Sequence, residues 1–217
     1  MRPLLTVLDF ADADDDGLAS GNSSAGTTLT LDGVLISGGS FTSSDGLAHA
    51  LVITDTGADV QTTATYTIIG TDGDGLAQSE DVAGPGASAS ILTIKNFLTV
   101  SSVSIANPVA GSTVDLGLNE RSVSKTIPLN YRHIVAATHS VDVTGGAVYS
   151  VEQTLDEIHN LDNPSADASW FEVDGLNGLS ASALSQGTNH ATACRLSVSG
   201  YASNAQLNYT VMQSESI

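Results

Sequence analysis

The residues whose types and spacing most invite chemistry are carboxylates. In "DADDDG", Asp12, Asp14 and Asp16 stand at alternate positions and Gly17 follows. That is the first half of a calcium loop: carboxylates two apart can turn toward one hard cation, and the glycine permits the sharp bend behind them. The twelfth position of such a loop should be a bidentate Glu, but it is Ser23, and no helical pattern flanks the stretch. Asp12, Asp14 and Asp16 are thus a weak calcium candidate beside a solvated acidic turn, which the missing ligand favours. A second group, Asp72, Asp74, Glu80 and Asp81, lies in "TDGDGLAQSED". Paired carboxylates flanking a cleft are the machinery of glycoside hydrolysis. Turn chemistry explains the same spacing directly. Gly73 and Gly75 tolerate positive φ, and an Asp side chain caps the backbone of its own turn. The expectation is a hairpin tip, with no catalytic residue in it.

The remaining reactive types are scattered. His49, His133, His139, His159 and His190 form no HxH or HExxH pattern. His133 and His139, six apart on one strand, would stand about 20 Å from each other at strand rise, too far for one ion. Cys194 is the only cysteine, so the chain has no disulfide within itself, and its alternating context predicts a buried, unreactive thiol. Serines are plentiful, but no G-x-S-x-G elbow is present, and no GxGxxG or P-loop precedes a helix. Trp170-Phe171 is the one bulky aromatic pair; it reads as core, or alternatively as an anchor for a sugar or a partner.

The elements that must position these residues are strands. Period-two alternation recurs in "LLTVLDF", "ALVITDT", "TATYTIIGTD", "ASILTIKNFLTVSSVSI" and, further on, "TIPLNY", "HIVAATHSVDV", "AVYSVEQTL", "SWFEVDG", "CRLSVSGY" and "QLNYTVMQ". "TTLTLDGVLISGGSFT" predicts two strands around an Asp32-Gly33 hairpin turn. Helix is minor: "LDEIHNL" and "GLSASALSQ" read as a turn or two each. Lys and Arg total only 6 while Gly numbers 21, and β-branched residues are common, which favours pleated surfaces over helices. The organisation predicted is all-β. Two tandem antiparallel β-sandwich units, 26–112 and 113–217, follow an extended acidic N-terminal arm, 1–25. The apolar residues 3–10 of that arm could add a strand to a neighbour's sheet edge.

Composition excludes some partners. The 217 residues carry a formal charge of −18, which repels phosphate backbones and anionic membranes, so neither nucleic acid nor membrane is expected as a partner. The charge serves solubility or meets a basic surface. No stretch approaches the ~20 apolar residues of a membrane helix. The apolar part of the start is cut short by Asp9, unlike a secretory signal.

One further reading rests on likeness. "TYTIIGTDGDGLAQSEDVAGPGASASILTIKNFLTVSSVSI" resembles a segment of structural proteins of tailed bacteriophages, where a strand ending in Gly-Thr-Asp is followed by a Glu-rich strand, a Gly-Pro turn and a "K-x-F-x-T-V-x-S" strand. "IPLNYRH", "AVYSVEQTLDEI", "SWFEV" and "LNYTVMQ" are similar to later parts of such proteins, and together these pieces span roughly residues 50–217. The resemblance implies immunoglobulin-like or similar sandwiches used as virion parts. It implies a non-enzymatic accessory structural protein on the virion exterior, decorating or cementing the capsid or attached to the tail. Its partners would be other virion proteins and copies of itself, with no cofactor. The alternative is a lectin-like, glycan-binding module of a tail fibre using loops near Trp170.

Overall fold

The computed structural model describes residues 4–11, 13–130, 137–187 and 190–213. In chain order the strands are β1 (Leu4–Asp9), β2 (Asp14–Ser23), β3 (Thr28–Leu29), β4 (Ile36–Ser37), β5 (Ser40–Thr42), β6 (Ala48–Asp55), β7 (Thr65–Thr71), β8 (Ala77–Ala83), β9 (Ser90–Phe97), β10 (Thr99–Ala106), β11 (Thr113–Val123), β12 (Ile127–Pro128), β13 (Ala137–Thr144), β14 (Ala147–Thr154), β15 (Phe171–Glu172), β16 (Ala183–Gly187), β17 (Ala193–Tyr201) and β18 (Gln206–Gln213). Between β14 and β15 lie a 3-10 turn, Ile158–Asn160, and a short helix, Pro164–Asp167, capped by the Asn163 side chain. The chain is all-β, its sheets antiparallel, and it divides into two compact units. One is continuous, Ala13–Glu120; the other is split, Met1–Asp12 with Arg121–Ile217. The pattern-based boundaries were 26–112 and 113–217.

In the continuous unit one sheet runs β4-β5-β10-β7-β8, with β3 also on β10, and the other joins β2, β11, β6 and β9. Tyr66, Ile68 and Val103 of the first sheet share one buried cluster with Leu51, Phe97 and Leu116 of the second. Alternation is the local cause: β7 buries Tyr66, Ile68 and Gly70 and turns Thr65, Thr67, Ile69 and Thr71 outward. On β10 the buried Val100 and Val103 are an odd number apart, and the register shift between Val100 and Ser102 puts both on the core face. The long apolar run 89–105 changes sheets at Leu98, where β9 ends its pairing with β6 and β10 starts pairing with β7.

In the split unit one sheet runs β1-β18-β13-β16. The other has β15, β14 and β17 in order, with β12 and the last residues of β11, Ser122 and Val123, also paired to β17. A hydrogen bond from Tyr209 of β18 to Cys194 of β17 joins the two sheets through the core.

Three expectations are corrected. The Asp32-Gly33 hairpin is absent; the tight turn lies at Gly38-Gly39, between the paired Ser37 and Ser40. Both glycines have positive φ, +63° and +82°, which a two-residue hairpin turn of this hand requires at both positions. Gly33 is needed for close approach instead, since a Cβ there would lie 2.2 Å from the Gly17 carbonyl oxygen. Residues 178–186, read as a turn or two of helix, instead lead into β16, Ala183–Gly187, in register with β13, where pairing overrides a weak local preference. The N-terminal segment is not an extended arm. β1 pairs with β18 from Leu4 opposite Val211 to Asp9 opposite Gln206, and β2 pairs with β11. Burial explains it: Leu8 is 4% and Phe10 7% exposed, and the Phe10 ring stacks on Tyr201 at 4.5 Å.

Candidate functional site

The "TDGDG" stretch is the tip of the β7–β8 hairpin, as the turn chemistry predicts. The Asp72 carboxylate accepts from the backbone N–H of Asp74 at 3.0 Å and of Leu76 at 2.8 Å, and Gly75 has φ +80°. Gly73 is not at positive φ, so only one of the two glycines is there for backbone freedom. The other acids of the cluster point to different tasks. Asp81 accepts from Thr67 Oγ1 at 2.6 Å across the hairpin. Glu80 accepts from the backbone N–H of Ile94 at 2.7 Å and Lys95 at 2.8 Å, so it bonds across from the edge of one sheet to the edge of the other. Lys95 Nζ returns a bond to the Ser79 carbonyl. Replacing Asp72 by Ala is expected to cost about 1–3 kcal/mol, because two N–H donors lose their partner at a residue only 2% exposed. Urea denaturation of Asp72→Ala beside Asp74→Ala checks this; equal effects would deny the cap its role.

Beyond the hairpin, the Gly84–Ala89 loop roofs a buried polar group. Pro85 O accepts from Gln61 N–H and Ala89 O accepts from Asp55 N–H. Asp55 Oδ1 accepts from Gly57 N–H and Ser112 Oγ. Asp55 Oδ2, both polar atoms of the Gln61 side chain and the Tyr66 hydroxyl are buried without a protein partner. Burial, with the Asp55 carboxylate adding to it, pushes Tyr66 up to about 12.

Of the calcium candidates, Asp12 lies outside the described residues. Asp14 and Asp16 fall on β2, where the Asp16 N–H donates to Asp14 Oδ1 at 3.3 Å and Ser20 Oγ donates to Asp16 Oδ2 at 2.9 Å. Asp16 is held below the usual carboxylate range by hydrogen bonds from Asp14 and Ser20, while burial and the neighbouring Asp16 raise Asp14. Among the described residues no three His, Cys, Asp or Glu side chains form a group able to hold a metal ion.

The structure adds two buried constellations that the sequence motifs do not show. His49, fully buried, has Nε2 3.0 Å from Asp45 Oδ2 and Nδ1 3.3 Å from the Asn119 carbonyl. Asp45 also accepts from Ser43 Oγ at 2.6 Å and Leu47 N–H at 2.8 Å. These are the residue types of a hydrolase triad in the wrong order. The carboxylate sits between serine and imidazole, so the serine hydroxyl faces Asp45 and not the His49 ring. The group clasps the loop before β6 to β11. Its local signal was "SSDGLAHA", an Asp and a His four apart around Gly46, whose φ is +75°.

The second constellation joins His139 of β13, Tyr209 of β18 and Cys194 of β17. His139 Nδ1 lies 2.9 Å from the Tyr209 oxygen, and that hydroxyl donates to Cys194 Sγ at 3.2 Å. With the hydroxyl proton committed to sulfur, Nδ1 is the donor to Tyr209. Nε2 is buried without a partner. Burial lowers His139 to about 4 and raises Cys194 to about 12, so imidazole and thiol are both neutral near pH 7 and the sulfur is a poor nucleophile. Of the other histidines, His159 and His190 are exposed and His133 lies outside the described residues.

Trp170 is not in the core. It is half-buried, with the Arg195 guanidinium 4.1 Å from its ring centroid. Arg195 also pairs with Glu152 at 2.6 Å, directly across β14 and β17, and donates to Ser165 O. The face that a sugar would stack on is thus shared with a cation already held in place. Phe171 beside it is 58% exposed. No helix among the described residues is long and apolar enough to cross a membrane. Neither a protein-family model nor a curated protein sequence matches the chain.

Proposed function

We propose that this chain is a non-enzymatic, accessory structural protein of a tailed-phage virion, built of two immunoglobulin-like sandwiches and placed on the particle exterior, on capsid or tail. The observation that carries the reading is what its carboxylates do. Asp32, Asp45, Asp55, Asp72, Glu80, Asp115 and Asp156 each accept from a backbone N–H. Acids deployed this way close turns and cover sheet edges. The continuous unit bears 13 Asp and Glu against one basic residue, Lys95, which keeps many copies soluble before they assemble. The likeness of residues 50–217 to tailed-phage structural proteins supplies the setting. The partners are other virion proteins and copies of this chain, and several weak contacts per copy hold it through avidity.

Quantitative mass spectrometry of purified particles tests the proposal. Hundreds of copies per particle place the chain on the capsid, and a few to a few dozen place it on the tail. Complete absence from particles, with the protein present in infected cells, would overturn it.

A further inference from the structure

Among the described residues the four-stranded sheet of the split unit ends at β1, which pairs there with β18 alone. Such an edge presents a row of N–H and C=O groups to any extended chain, and proteins blunt these edges with short strands, charges, prolines or bulges. This chain uses those devices at other edges. β4 and β15 are two residues long, and Glu80 and Lys95 bridge the facing edges of β8 and β9. β1 has none of them over Leu4–Leu8: no charge, no proline and no break in its register with β18.

Its sequence is also self-complementary. Leu4-Leu5-Thr6-Val7-Leu8 reads nearly the same in both directions about Thr6. Two such strands set antiparallel about a two-fold axis at Thr6 bring Leu4 opposite Leu8, Leu5 opposite Val7, and Thr6 opposite Thr6. Within the strand Leu8 is buried and its neighbour Val7, on the opposite face, is 59% exposed. Aliphatic and Thr–Thr cross-strand pairs are favourable. Asp9 would meet position 3, a proline with no N–H to give, so the ladder stops before two acids face each other. In a chain of charge −18, most approaches of one copy to another are repulsive, and this uncharged edge is spared that cost.

From this edge we infer that β1 is a homotypic docking strand, pairing with β1 of a second copy to make one continuous eight-stranded sheet of the two four-stranded ones. The inference deepens the self-association within the proposed function and names its surface.

Three measurements on the full chain test it. In sedimentation velocity the wild-type mass rises with concentration to twice 22.1 kDa, and Val7→Lys stays at 22.1 kDa with an unchanged melting temperature. Under mild oxidation Thr6→Cys forms a disulfide-linked dimer, because the two positions face each other on the axis. Val7→Cys does not, because its two copies lie diagonally, about 7–8 Å apart, beyond the reach of a disulfide. Buried Cys194 does not compete. A wild-type monomer at every concentration overturns the inference. So does a dimer that Val7→Lys leaves intact, or cross-linking of Thr6→Cys no better than Val7→Cys. A monomer would remove the pairing and leave the virion assignment standing, while absence from particles would remove the assignment and leave a dimer standing.

Discussion

Phe10→Ala is expected to destabilise the split unit by about 3–5 kcal/mol, the cost of emptying a buried aromatic site. The Phe10 ring is 7% exposed and stacked on Tyr201 with an interplanar angle of 11°. Tyr201 in turn donates its hydroxyl to the Ala11 carbonyl, so the ring closes over the end of β1 and pins the chain as it leaves the sheet. Deleting residues 1–12 should cost more, because it also removes Leu8 and strips β18 of its outer neighbour from Gln206 to Val211. The chain's only tryptophan, Trp170, lies in the split unit, so its fluorescence in urea follows that unit. Val7→Ala, at a position 59% exposed, should change stability by no more than about 0.5 kcal/mol. If Phe10→Ala proves as mild as Val7→Ala, the first strand is not a structural part of this unit.

The second large effect is set by pH. His139 has a folded-state value of about 4 against an ordinary 6.5, because burial disfavours its charged form. Between those values the unfolded chain binds more protons than the folded one, so stability falls as pH drops. The contribution is unchanged above pH 6.5, is lost progressively toward pH 4, and amounts to about 3 kcal/mol in full. The structural reason is the imidazole's surroundings. Nδ1 already donates to Tyr209, and a proton added at Nε2 would find no acceptor in the core. Carboxylates also titrate on the way to pH 4, so the measurement is a difference. Urea midpoints of wild type and His139→Leu, followed by Trp170 fluorescence from pH 7 to pH 4, should diverge, with the variant the flatter. Parallel profiles would show that the imidazole is not what acid attacks.

Where side chains alternate over a whole strand, the fold was legible. β7, β14 and β18 lie where the period-two runs put them, and the "TDGDG" turn followed from Asp and Gly chemistry alone. Gly38-Gly39 and Asp32-Gly33 both suit a hairpin turn locally, so the sequence does not choose between them. What separates them is distant: Gly33 is claimed by the Gly17 backbone, and the Asp32 carboxylate bonds Ser20 N–H and the Asn22 side chain. Residues 183–187 have little intrinsic preference, and β13 decides for them. The N-terminal segment was read as an arm because nothing near it in the chain could bury Leu8 and Phe10; its partners are in β17 and β18. The same distance hid His139, Tyr209 and Cys194, which become neighbours only through register. Asp45 and His49, four residues apart, were within reach of the sequence, but a buried clasp and a surface pair look alike there.

The adjacency of the first and last strands has a consequence for biogenesis. Leu4 pairs with Val211, about 200 residues later, while the continuous unit spans only Ala13–Glu120. As the chain emerges from the ribosome, Ala13–Glu120 can collapse early, whereas Leu4–Asp9 must wait as an unmatched ribbon until Gln206–Val211 has been made. Closing so distant a contact makes this the slow step of maturation. During that interval a nascent chain exposes an unpaired apolar strand, and polysomes crowded with siblings are where wrong pairings would begin.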